Sequence, residues 1–468
     1  MREFDLIVIG SGSGLDVGVA ASESGLRVAV VEKGPIGGTC LNRGCIPSKM
    51  LIHSADIIET IKNAGLFGIK VKDYEIDFPA MVNRVSEDVD ADSSEIEKSF
   101  RMTDNPVLFK TECRFIGEKT LQADSETLKA EKILISSGTR PEIPQIPGLA
   151  GTGYITSDEA LRLVKLPKTL TIIGGGYIAS ELAHFFGSLG TTINIVQRQK
   201  TLVNREDEEV SELFTHLMSH RYNVFVGNEA VSVSKENDSF IVDIANVENR
   251  SETRRLISDQ LLIATGRVPN SDLLDLDKTG VQTDNHGMII TDPYLETNVK
   301  GIFALGDAVG RYPFKHVANH EANYAYQNIM HPENKAAVDY TSIPHAIFSS
   351  PQIASVGKTE QELKASGTDY LVGRWNYINT GMGKAIEDQT GFVKFLIDRS
   401  LKILGCHIIG TDASTLIHEV LVAMKSGDGT TEWIRRTIHI HPALSEVVRR
   451  ATEYIYDPRH VHEHEHLQ

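Results

Sequence analysis

Cys40 and Cys45 stand with four residues between them in the stretch GGTCLNRGCIPSKM, behind a pair of glycines and ahead of Pro47. Two thiols this close can supply half of a zinc site, close a structural staple, or cycle as a redox pair. The rest of the chain bears on that choice. It holds four cysteines among 468 residues, too few for a disulfide framework, in a chain long enough to fold around a core without one. A bond between Cys40 and Cys45 therefore reads as one that is worked rather than structural.

The composition sets the context in which such a pair would act. The length suits about three domains, and 41% apolar with 24% charged residues is ordinary for a globular protein. A formal net charge of -16 disfavours nucleic acid and anionic membrane surfaces as partners. The opening MREFDLIVIG runs straight into an apolar strand pattern without the marks of a signal peptide. No apolar run approaches the roughly 18 residues of a membrane helix, so the expected location is cytoplasmic. The tail RHVHEHEHLQ, with four alternating histidines, reads as a solvated end rather than a metal centre.

The elements that must position the pair come from one pattern written twice. FDLIVIGSGSGLDVGVAASESGLRVAVVEKG is a strand, a glycine-rich turn, a helix pattern and a second strand ending at Glu32; TLTIIGGGYIASELAHFFGSLGTTINIVQRQ repeats that order. Each fits a βαβ unit whose turn and helix N-terminus meet a pyrophosphate. In the first copy Gly10 and Gly12 hold the first two glycine positions, while Leu15 stands at the third and Gly14 comes one place early, which predicts looser packing of helix on strand. Glu32 can accept hydrogen bonds from a ribose diol, which suits an adenosine without a 2'-phosphate, as in FAD or NAD. In the second copy Gly174 and Gly176 are in place and Ala179 takes the third position. The strand ends on Gln197, with Arg198, Lys200 and Arg205 close behind; loss of the acid and gain of cations favours NADPH over NADH.

Two dinucleotide folds in one chain imply two redox cofactors in electronic contact. ILISSGTRPEIP, with Gly138, and LLIATGRVPN, with Gly266, read as strands crossing the mouths of the two folds, and NVKGIFALGDAVG ends a further strand at Gly306 and Asp307. With GGTCLNRGCIPSKM, GGGYIASELA, GIFALGDA and HIHPALSEVV in this order, nearly the whole chain resembles the pyridine nucleotide-disulfide oxidoreductases, the class I flavin disulfide reductases that include dihydrolipoamide dehydrogenase and mycothione reductase.

The resemblance implies an α/β fold of two Rossmann-like domains, for FAD and for NAD(P), and a C-terminal α+β dimerisation domain. By that pattern residues 1–150 and 271–342 form the FAD-binding parts, 151–270 the nucleotide domain, and 343–468 the dimer interface. It further implies that Cys45 faces the flavin while Cys40 exchanges with substrate sulfur, and that His441, paired with Glu446, acts as acid and base from the partner subunit of a homodimer. His439 then packs or bonds locally. FAD contacts fall on Gly10, Gly12, Gly14, Glu32, Lys33, Gly38, Thr39, Gly138, Gly306 and Asp307, with His316 and Ala318 of FKHVANHEA along the pyrimidine edge. Nicotinamide nucleotide contacts fall on Gly174, Gly176, Tyr177, Ile178, Arg198 and Gly266. Lys49 and Glu181 are expected to pair at the flavin N5 edge.

The zinc reading needs ligands that the segment does not supply, His316 and His320 are not completed into a metal site, and Cys113 and Cys406 read as core or surface residues. The expected function is electron transfer between nicotinamide, flavin and the Cys40–Cys45 disulfide to a small thiol or disulfide. Against glutathione, GLDVGVAASESG and HEANYAYQ lack the carboxylate-binding arginines of glutathione reductase; KHVANHEA and SSPQIASVG favour the mycothione-type branch, while GCIPSKML reads equally like dihydrolipoamide dehydrogenase. The alternative is a non-catalytic flavoprotein subunit of a larger complex.

Overall fold

The computed structural model describes residues 1–459; the four histidines of the tail, at 460, 462, 464 and 466, lie outside them. Strand β1 (Arg2–Ile9) turns into helix α1 (Gly14–Glu23), which returns to β2 (Val28–Val31), parallel to β1. Gly10 takes φ 97°, and a Cβ there would stand 2.4 Å from the Ser136 carbonyl oxygen, so the turn requires glycine. The looser packing expected at Leu15 is not found. Leu15 is buried, and Gly14 lies so close that a Cβ would fall 2.1 Å from Ser136 Oγ. Glycine one place early supplies the close approach.

Past β2 come α2 (Gly38–Arg43), α3 (Cys45–Asn63) and α4 (Phe78–Arg101), then β3 (Val107–Phe109), β4 (Cys113–Gly117), β5 (Thr120–Ala123) and β6 (Glu126–Ile135). They form one sheet in the order β3-β2-β1-β6-β5-β4. The chain crosses through β7 (Thr139–Pro141) and α5 (Ser157–Ala160) into the second unit: β8 (Thr169–Ile173), α6 (Tyr177–Ser188), β9 (Thr192–Gln197), α7 (Glu208–Arg221) and β10 (Asn223–Val226). An antiparallel sheet of β11 (Asn228–Glu236), β12 (Ser239–Asn246) and β13 (Thr253–Ser258) interrupts it before β14 (Gln260–Ile263) pairs β8. On the way back, β15 (Arg267–Pro269) pairs β7.

Beyond it, β16 (Ile302–Ala304) joins the first sheet beside β6, and α8 (Lys315–Met330) lies against α1. The second dinucleotide unit is thus inserted between two parts of the first. The C-terminal part is an antiparallel sheet of β17 (Pro344–Ile347), β18 (Gln352–Gly357), β19 (Leu371–Asn376), β20 (Phe392–Ile397), β21 (Ile403–Gly410) and β22 (Ile455–Tyr456), with α9 (Glu360–Ser366) between β18 and β19. Helices Ala413–Lys425 and Ser445–Glu453 pack on it through Ile417, Val420, Val447 and Val448. Among the described residues no helix is long and apolar enough to cross a membrane.

One buried ion cluster bolts the inserted unit to the C-terminal sheet. Lys394 of β20, 2% exposed, bonds Asp207 and Glu360 at 2.7 Å each and lies 3.3 Å from Glu209. Asp207 also accepts the Glu360 backbone N–H. Removing the ammonium strands carboxylates that cannot all be solvated. Lys394→Met is expected to cost about 3–5 kcal/mol, read as a lowered urea or thermal midpoint.

Candidate active site

The two cysteines open onto a cavity of about 990 Å³ at the C-terminal edge of the first sheet. Ligands of open α/β sheets bind at this edge. The phosphate turn supplies Gly10 and Gly12, and a Cβ on Gly12 would meet nothing within 4 Å, so the turn faces open space. Gly14 does not line the cavity; it backs onto Ser136. At the end of β2, Glu32 accepts the Ser11 backbone N–H at 2.9 Å, Ser11 Oγ at 2.7 Å and the Gly34 N–H at 2.6 Å. Its carboxylate fixes the turn while lining the cavity, next to Lys33.

On the opposite side lie Gly138, Gly306, Asp307 and Ala318. Burial pushes the Asp307 carboxyl up against the opposing pull of Arg267 and Thr139. Thr139 Oγ1 donates to one Asp307 oxygen at 3.1 Å, and the other oxygen has no hydrogen-bond partner among the described residues. The turn carrying Asp307 is held by the buried Glu321, which accepts the Gly306 N–H at 2.6 Å and the Tyr340 hydroxyl at 2.7 Å.

Between these walls the α2–α3 corner presents Gly38, Thr39, Cys40 and Cys45. The thiols are unbridged and within hydrogen-bonding reach. The corner is pinned by Asn42, whose Nδ2 donates to the carbonyls of Ile36 and Gly38 at 2.9 Å each. Gly44 permits the turn into α3, since a Cβ there would fall 2.8 Å from the Thr39 carbonyl oxygen. The Cys45 thiol is held down to about 6 by its hydrogen bond with Cys40 and by Lys49, against burial and Glu181. The Cys40 thiol is pushed far up by the same hydrogen bond, by burial and by the Cys45 charge, with Lys315 opposing. The pair therefore favours one thiolate, on Cys45.

Lys49 follows on the next turn of α3, with Nζ 2.7 Å from Glu181 Oε2 of α6. The second Glu181 oxygen accepts the Phe348 N–H at 3.0 Å. The second phosphate turn lies outside the cavity. Gly174, at φ 119°, would place a Cβ 2.2 Å from the Ala264 carbonyl oxygen; Gly176 faces open space, and Ile178 packs into the core. Gly266 lies at φ 138° beside Glu142, and Arg198 is exposed. Tyr177 comes within 6.2 Å of the Phe314 ring, next to the cavity-lining Pro313 and Lys315. His316 does not line the cavity; its ring stacks on Phe314 and bonds the Pro344 carbonyl oxygen at 2.8 Å. His320 likewise bonds the Asp339 carbonyl oxygen, at 2.9 Å.

His441 and Glu446 meet each other but not the cysteines. His441 Nδ1 lies 3.0 Å from both Glu446 oxygens. Against burial, this contact holds the Glu446 carboxyl low. The imidazole is 75% exposed and outside the cavity of its own chain. His439, by contrast, is bonded to Glu419 and to the Thr437 carbonyl.

The profile of the pyridine nucleotide-disulphide oxidoreductases matches residues 4–322, and that of their dimerisation domain residues 343–452. The chain belongs to this family. It is 36% identical over 462 residues to a mycothione reductase of Mycobacterium tuberculosis, covering 96% of this chain and 99% of that one. To mitochondrial dihydrolipoyl dehydrogenase 1 of Arabidopsis thaliana it is 34% identical over 473 residues, 98% of this chain and 92% of that one. Among solved structures it superposes on the Cu(II) complex of the HOCl-induced flavoprotein disulfide reductase RclA from Escherichia coli with TM-score 0.86 at 25% identity, covering 97% and 99% of the two chains.

The family is FAD-dependent, and the cavity fits that group: an open glycine turn, a carboxylate at the ribose position and the spare Asp307 oxygen all face it. Several contributors escaped the sequence reading. Ser11 and Glu321 hold cavity carboxylates and turns, Asn42 pins the cysteine corner, and Lys315 reaches Ser13 Oγ at 2.9 Å from 302 residues away. Of these only Asn42, lying between the two cysteines, carried a local signal. Cys113, read as a core or surface residue, lines the cavity near Glu32, where burial first and then that carboxylate push its thiol up to about 12. Cys406 is buried in the C-terminal core.

Proposed function

We propose that the protein is an FAD-dependent NAD(P)H:disulfide oxidoreductase that reduces a low-molecular-weight disulfide through Cys40 and Cys45. The observation that carries this reading is the thiol pair on the wall of the dinucleotide cavity, with Lys49 one turn of α3 further on and paired to Glu181 of α6. The net reaction is NAD(P)H + H⁺ + RSSR → NAD(P)⁺ + 2 RSH. Bound FAD supplies two-electron transfer between nicotinamide and disulfide. The chain's own residues do the rest. Glu32 and Asp307 orient the cofactor, and Lys49 stabilises negative charge beside Cys45. Cys40, whose proton is held hard and must first pass to a base, the role of a His441 held by Glu446, exchanges as thiolate with substrate sulfur.

Among relatives, the match to mycothione reductase together with KHVANHEA and SSPQIASVG supports a mycothione-type substrate, a small thiol disulfide, over lipoamide. NADPH is the favoured donor. Gln197 is turned inward, under Gly175 and bonded to the Thr201 carbonyl, so it does not stand as a ribose acceptor. Lys200 pairs with Glu248, whereas Arg198 is exposed and has no ion-pair partner among the described residues. A charge-assisted bond to a 2'-phosphate contributes about 1.5–3 kcal/mol. Arg198→Ala is accordingly expected to raise KM for NADPH about ten- to a hundredfold and to leave NADH nearly unchanged; equal effects on both would remove Arg198 from the site.

Anaerobic titration with each nucleotide tests the whole reading. A long-wavelength charge-transfer band at two-electron reduction is the expected result. Flavin bleaching without the band would uncouple Cys45 from the ring and sink the disulfide reductase reading.

A further inference from the structure

Helix α3 begins at Cys45 and α6 begins at Tyr177, and the two lie side by side. Leu51, Ile52 and Ala55 of α3 share one apolar core with Ala179, Leu182 and Ala183 of α6. Apolar burial brings helices together but is non-directional, so it leaves their register loosely set. Three polar ties supply direction. Lys49 Nζ bonds Glu181 Oε2, Asp56 Oδ1 bonds His184 Nε2, and Lys62 Nζ bonds the Ser188 carbonyl oxygen, each at 2.7 Å. Lys49 and Asp56 lie about two turns apart on one face of α3. Glu181, His184 and Ser188 follow at i, i+3 and i+7 on one face of α6.

The middle tie is the selective one. His184 is completely buried, yet both ring nitrogens are engaged: Nε2 on Asp56, and Nδ1 with Ser188 Oγ at 3.1 Å. Asp56 accepts, so Nε2 carries the proton. A slip of α3 by one turn would take Asp56 from the N–H of the buried His184 and leave that donor without its acceptor. It would also bring the Lys49 ammonium to the level of His184 and leave Glu181, 8% exposed, without its cation. The outer tie ends on a backbone carbonyl, which any residue supplies, and discriminates less.

We propose that Asp56 and His184 are positioning residues of the redox site, setting the register of α3 on α6 and so the placement of Lys49, Glu181 and Cys45. The inference rests on the reading that Cys45 and Lys49 face the flavin. Neither Asp56 nor His184 lines the cavity; they act through the pair two turns and one turn away from them. The charges of Lys49 and Glu181 both bear on the Cys45 sulfur, so a displaced pair changes the thiolate as well as its distance from the ring.

The test compares holoenzymes mixed anaerobically with NADPH. Asp56 is 46% exposed, so Asp56→Ala should fold. It is expected to keep FAD while the rate and amplitude of charge-transfer band formation fall about ten- to a hundredfold, the scale of a small misplacement at a reacting centre. Asp56→Asn, which retains an acceptor oxygen, should recover most of the band. The double variant Asp56→Ala/His184→Phe should be no worse than the poorer single variant, because the two act as one unit. Lys62→Ala should leave the band unchanged. A lowered thermal midpoint with wild-type band kinetics would make the pair merely structural and overturn the proposal, as would additive losses or no recovery in Asp56→Asn. A wild-type enzyme that forms no band would instead sink the underlying redox reading before any variant is compared.

Discussion

Cys45→Ser is expected to keep its fold and FAD, to keep reducing ferricyanide with NADPH, and to lose turnover of a small disulfide probe by at least about 10³-fold. The fold should survive because Cys45 opens the first turn of α3 with its side chain on the cavity, where serine removes no core contact. Ferricyanide takes electrons without the cysteines, so only the disulfide branch should fail. Cys40→Ser should differ in kind. It cannot form the disulfide either, but it leaves Cys45 as a lone thiol beside oxidised flavin, and the hydroxyl at position 40 still donates to it. A charge-transfer band is then expected without any reductant. Because the Cys45 thiol is held down to about 6, first by the hydrogen bond with Cys40 and then by Lys49, the thiolate and its band are present above that pH and lost as pH falls through it. A band that survived well below pH 6, or persisted in Cys45→Ser, would assign it to another donor. Full disulfide turnover by Cys45→Ser would favour a flavoprotein whose cysteines are incidental.

What could be read from the sequence was whatever depends on neighbours along the chain. The two phosphate turns were legible because each needs a glycine where a side chain would strike a crossing carbonyl, Ser136 for Gly10 and Ala264 for Gly174. The cysteine pair was legible from its spacing, and the Lys49 and Glu181 contact followed from the resemblance and is made at 2.7 Å. What depends on distant segments was not legible. Lys394 looks like any strand lysine until Asp207 and Glu360 close on it from two other elements. Glu321 looks like a helix surface residue until the Gly306 turn folds onto it. Gly14 shows the limit in miniature. A template that wants glycine at position 15 predicts loose packing, whereas the contact itself only wants a residue without Cβ facing Ser136, and position 14 meets that need.

The histidine that the proposed chemistry calls for is the residue one chain does not bring to the site, and this leads to the sharpest test. His441 projects from the C-terminal part directly after Ile438 and Ile440, 96% and 78% exposed, and Glu446 already holds its Nδ1. Exposed apolar residues around a prepared imidazole fit a surface that a second copy covers. A symmetric dimer would then carry two sites, each with cysteines from one subunit and His441 from the other. His441→Ala is expected to lower disulfide turnover about 10²- to 10⁴-fold, the usual worth of a positioned acid and base. Mixing is more telling than loss. Homodimers of Cys40→Ser and of His441→Ala should each keep about a hundredth of wild-type turnover or less. In a mixed dimer, the Cys40→Ser subunit donates an intact His441 to the intact cysteines of its partner, restoring one of two sites. Random reassortment makes half of all dimers mixed, so activity should return to about a quarter of wild type. If His441 served the cysteines of its own chain, every site in every dimer would lack one group, and mixing would restore nothing.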